Sequence, residues 1–118
     1  VAPDAGRAST LDQLARLATA LDRERAGYPA TQAALLRAGA AAATGDRAQV
    51  IAQLRQAIAL ATEHDAAWLA SAARARLAGW VDEAEAAPLR AAAAAYASDQ
   101  GFVDADAMFD VVAPWPRR

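Results

Sequence analysis

Residues 47–63 read RAQVIAQLRQAIALATE, and the fold turns on the pattern in that stretch. Val50, Ile51, Leu54, Ile58 and Leu60 recur at helical spacing with glutamine and arginine between them, which gives one apolar face and one wet face. The spacing predicts an amphipathic helix from about Arg47 to Glu63. An amphipathic helix cannot bury its stripe alone, so the segments on either side must supply its cover.

Upstream, Thr44-Gly45-Asp46 stops a helix expected over about Pro29 to Ala43, which carries Leu35, Leu36 and the small run Ala38-Gly39-Ala40-Ala41-Ala42-Ala43. Gly39 costs a helix interior about 1 kcal/mol against alanine, which suggests a place where another backbone comes close. Further upstream, Ser9 with Asp12 forms a capping-box-like start to a first helix through Leu11, Leu14, Leu17, Ala18 and Leu21 to about Arg25. Gly27 and Pro29 then make a short hairpin connection.

Downstream, Asp65 is read as the N-cap of a fourth helix running through Leu77, with Gly79 ending it. The acidic stretch Asp82-Glu83-Ala84-Glu85 suits a helix start, but Pro88 fits a helix interior poorly, so the fifth helix is placed from about Ala86 to Asp99. Gly101 closes it. Asp104 caps a short sixth helix ending near Val112, with Phe102, Met108, Phe109 and Val112 as buried candidates, and Pro114 and Pro116 prevent continuation. The expectation is an all-α domain of about six helices, five long and one short, arranged as antiparallel hairpins over 9–113, between a linker (1–8) and a tail (114–118).

Composition agrees. Alanine fills 39 of the 118 positions, and it has the best helix propensity, while no run alternates apolar with polar over a strand's length. No strand is expected. A net charge of −2 gives no general attraction to nucleic acid or anionic lipid. The absence of cysteine removes disulfides, thiolate zinc sites and cysteine nucleophiles, and fits a reducing cytoplasm. No apolar run approaches the ~20 residues of a membrane helix. The start at Val1, followed by Ala2-Pro3-Asp4-Ala5-Gly6, reads as an interdomain linker, with a larger parent expected.

The turns Thr44-Gly45-Asp46 and Ala78-Gly79-Trp80 place their glycines 34 positions apart, the period of a tetratricopeptide repeat (TPR). From Thr31 the chain resembles such a repeat: Gly45-Asp46 fall at its inter-helix turn, Ala57-Ile58-Ala59-Leu60 resemble the end of its second helix, and Trp68 matches its aromatic in the next unit. Ala34 stands at that aromatic position in the first unit, and Thr62 replaces the closing proline. A second resemblance covers about Ala66 to Trp115. The stretches Ala66–Gly79, Ala94–Gly101 and Met108–Pro114 are similar to the helical tail that follows TPR-like repeats in large bacterial eukaryotic-like serine/threonine kinases and some regulatory ATPases. Such tails often carry a more basic arginine stretch, and a Trp-Met pair where this chain has Ala95-Tyr96-Ala97. The resemblance implies a C-terminal sensor or docking region with the catalytic machinery elsewhere.

Chemistry within the chain is sparse. His64 lies between Glu63 and Asp65 at a helix junction, where a solvated turn residue is favoured over a metal or proton-transfer site. Asp99, Asp104, Asp106 and Asp110 lack the loop pattern of a calcium hand. The glycines make no phosphate-binding loop. No cofactor and no catalytic residue is expected. Arg74, Arg76, Arg90, Arg117 and Arg118 offer a basic strip, with solvation as the simpler reading, and Trp68, Trp80 and Trp115 are core residues first and interface anchors second.

Stacked hairpins make a concave face lined by first helices, and such faces bind peptides or domains. Helix phase puts Arg37, Trp68, Ser71 and Arg74 there, with Thr31 and Gln32, as partner contacts. The expected function is non-catalytic protein–protein recognition. The alternative is a solenoid cap or self-association module that forms a homodimer, which an exposed apolar stripe on the first helix would favour.

Overall fold

A computed structural model describes residues 11–16, 18, 19, 28–102 and 109. Among them the chain is all-helical with no strand. Residues 11–16, 18 and 19 are helical and belong to α1; α2 is Tyr28–Thr44, α3 is Arg47–Glu63, α4 is Ala67–Ala78 and α5 is Glu83–Asp99. The described residues thus hold five helices where six were expected. Of the sixth, expected over 104–112, only Phe109 is described. The Ser9 cap, the Gly27 turn and the 114–118 tail lie outside the described residues, as do residues 1–8.

The α3 boundaries match the reading from its apolar spacing, and Asp46 starts it by accepting a hydrogen bond from the Gln49 amide at 3.2 Å. Asp82 does the same for α5, accepting from the Glu85 amide at 3.0 Å, and Glu83 and Glu85 add negative charge to the positive end of the helix. α5 therefore begins at Glu83, three residues before the expected Ala86, and runs through Pro88. Its cap and first turn outweigh the proline. Pro88 lacks the N–H that would reach the Ala84 carbonyl, but both residues are exposed and water is at hand for that carbonyl.

Three helices end in the same way. After α2 the Gly45 amide donates to Ala42 and the Asp46 amide to Ala41; after α3 the Asp65 amide donates to Thr62 and the Ala66 amide to Ala61; after α5 the Gly101 amide donates to Ser98 and the Phe102 amide to Ala97. This is the Schellman pattern, which needs a left-handed residue, and Gly45 (φ 77°), Asp65 (φ 55°) and Gly101 (φ 81°) supply it. Asp65 is thus not the N-cap of α4. The residue before that helix is Ala66, with no side-chain cap, and Asp65 instead closes α3. α4 ends at Gly79 with right-handed backbone (φ −77°), so Gly45 and Gly79, though 34 positions apart, are not conformational equivalents.

α2 packs on α3, α3 on α4 and α4 on α5. Ala34, Ala38 and Ala42 recur every four residues on α2 and are all buried, a row of methyl groups that lets α3 approach closely. They meet Val50, Leu54 and Ala57 of α3 and Leu77 and Ala73 of α4 in two adjoining apolar clusters. Gly39, beside that row, is also buried. α4 forms the axis: Trp68–Ala73, Leu77 and Ala78 are all buried, so nearly its whole circumference is covered. Trp68 lies at the centre of a third cluster, with Tyr96, Phe102 and Phe109 edge-on at centroid distances of 5.1, 5.0 and 6.2 Å. α1 joins this cluster through Leu14, and its Arg16 donates to the Gln100 carbonyl at 3.2 Å and covers the Phe102 ring at 5.2 Å. The start of the bundle therefore touches the end of α5, a contact that helices stacked in an open line do not make.

Candidate functional site

The burial of α4 decides the fate of the expected concave face. Trp68 is 0% exposed and Ser71 1%, so neither contacts a partner in this fold. Thr31 is likewise at 0%, and its hydroxyl is buried without a hydrogen bond. Helix phase says which residues share a face, and here Leu14 of α1, Leu35 of α2, Ala61 of α3 and Ala93 and Ala97 of α5 pack in the cluster around Trp68, on the face that an open array would leave to a ligand.

Arg37 and Arg74 do reach the surface, on different features. Arg74 is half-buried and lines a shallow depression of about 210 Å³ with Ala61, Thr62, Asp65, Ala67 and Ala70. Arg37 is exposed on α2, and its Nε donates to Oε1 of Gln53 on α3 at 3.2 Å. The structure does not bring the two arginines together with Trp68 and Ser71 in one site.

The basic strip is not continuous either. Arg90 pairs with Glu83 and Arg55 with Glu85 at 2.9 Å, while Arg117 and Arg118 lie outside the described residues. His64 is exposed and closes α3 through its own backbone amide, donating to the Leu60 carbonyl at 3.1 Å. Among the described residues no three His, Cys, Asp or Glu side chains converge as metal ligands. Trp80 is half-buried against the α2–α3 cluster, and Trp115 is outside the described residues.

The surface holds something the sequence reading passed over. Leu36 is 75% exposed and Leu11 is 60% exposed, the two large apolar side chains that stand out among the described residues. Around Leu36, at spacings of four and three, lie Pro29, Ala33, Ala40 and Ala43, all exposed except the half-buried Ala33. These five make a second apolar stripe on α2, offset from the buried Ala34-Ala38-Ala42 row. Its signal was present in the sequence: Tyr28–Thr44 carries one charged residue, Arg37, in 17. A helix with one face in the core and so few charges has apolar surface left over.

Compared with known protein families, curated proteins and solved structures, the chain matches none. No helix among the described residues is long and apolar enough to cross a membrane.

Proposed function

We propose that this chain is a non-catalytic protein–protein docking domain of cytoplasmic, TPR-like helical hairpins. On the residues shared with the kinase-tail signature, Ala66–Gly79, Ala94–Gly101 and Met108–Pro114, we place it as the C-terminal part of a larger bacterial signalling protein such as a serine/threonine kinase. The observation that carries the docking reading is the exposed apolar stripe on α2, with Leu36 projecting from it. Contiguous apolar surface on a small domain marks a contact site, and a helical ridge of this kind suits a protein partner better than a small substrate.

A second reading, a cap or self-association module, has its own observation. Leu11 is 60% exposed on α1, the helix on which an exposed apolar stripe favours self-association. Light scattering over a wide concentration range separates the two. A monomer at every concentration leaves the apolar side chains for another protein, whereas a dimer abolished by Leu11→Asp overturns the docking reading in favour of self-association.

A further inference from the structure

We propose that the outer face of α2 docks an acidic amphipathic helix of a partner protein, whose apolar side chains pack around Leu36 and whose carboxylate pairs with Arg37. This rests on the docking reading above and adds the surface and the chemistry of the partner.

Pro29, Ala33, Leu36, Ala40 and Ala43 follow the four-and-three alternation by which one helix seats on another. Leu36 is a knob flanked by alanines small enough for a second helix to come close. The charge on this face is what selects the occupant. Arg37 is the sole charged residue of α2, and its hydrogen bond goes to the neutral amide of Gln53. Arg16, Arg55 and Arg90 stand against Asp12, Glu85 and Glu83, whereas Arg37 shares with Arg47 and Arg74 the lack of an ion pair among the described residues and differs from them in flanking the exposed apolar stripe. The face is apolar with a cation lacking a carboxylate among the described residues, and its complement is an apolar helix bearing an acid.

A second copy of α2 is a poor occupant. Leu36 is the midpoint of Tyr28–Thr44, so a twofold pairing centred on it brings each Arg37 toward the Arg37 of the other copy.

The test uses the whole chain and two synthetic amphipathic helices of about three heptads, identical with leucine in the apolar positions but carrying glutamate or lysine on the flanks. Binding is read by titration calorimetry, and circular dichroism confirms that each variant is folded; Leu36 and Arg37 are exposed, so neither substitution enters the core. The expected result is that the glutamate peptide binds several-fold more tightly than the lysine peptide, that Leu36→Asp weakens it at least about tenfold, and that Arg37→Glu reverses the preference. No binding of either peptide, equal binding of both, or undiminished binding by Leu36→Asp overturns the proposal. Binding lost in Leu11→Asp but kept in Leu36→Asp moves the site to α1 and leaves the docking reading standing. A dimer of the chain abolished by Leu36→Asp replaces the acidic partner with a second copy.

Discussion

Asp65 does the work usually given to glycine. With φ at 55° it closes α3 from the left-handed region, in a turn where Gly45 and Gly101 do the same for α2 and α5. A side chain there costs about 1 kcal/mol, less whatever glycine loses by its extra freedom in the unfolded chain. Asp65→Gly should therefore stabilise the fold by about 0.5–1 kcal/mol, read as a higher urea midpoint, and the β-branched Asp65→Val should destabilise it by a similar amount, read as a lower one. Trp68 is the opposite case, with its energy in packing rather than backbone. It is fully buried with three rings against it, and Trp68→Ala should cost about 3–5 kcal/mol in equilibrium unfolding. The sequence did show that Trp68 matters. It did not show which way the residue faces, because a repeat-based phase presumes an open inner surface. The composition of α4 was the better guide: of its twelve residues only Ser71, Arg74 and Arg76 are polar, too few to keep one side wet.

At the scale of elements, legibility tracked amphipathicity. α3 was readable because its apolar spacing and its Asp46 cap agree on where it starts. α5 starts at Glu83 rather than Ala86 because a specific cap, Asp82, and two first-turn glutamates outweigh the general penalty on proline. The proline remains a cost, with Ala84 deprived of its intrahelical donor. Pro88→Ala should stabilise the protein by about 1–3 kcal/mol, measured as a shift in thermal midpoint, and should leave the helical content unchanged. α2 was legible as a helix but not as a surface. Its two alanine rows, one buried and one exposed but for the half-buried Ala33, look alike in sequence, and only the packing of α3 distinguishes Ala34-Ala38-Ala42 from Ala33-Ala40-Ala43.

The whole molecule is where local reading runs out. Helical class follows from short-range pattern, but the contact between Arg16 and Gln100 joins residues 84 positions apart, and no period in the chain announces it. Arg16 holds α1 against the last turn of α5 by a hydrogen bond to a backbone carbonyl and by its place over Phe102. Arg16→Ala should speed hydrogen exchange at the Gly101 and Phe102 amides while leaving that of Leu54, in the α2–α3 cluster, unchanged. Equal acceleration at all three sites would mean that α1 supports the bundle as a whole rather than its closing end.

The ring cluster also makes the bundle its own optical probe. Tyr96, on α5, lies 5.1 Å from the indole of Trp68 on α4, well inside the range of resonance energy transfer, so light absorbed by the phenol leaves as indole emission while the two helices stay packed. Because the donor and acceptor belong to successive helices, loss of that sensitised emission times the parting of α4 from α5 without any added dye.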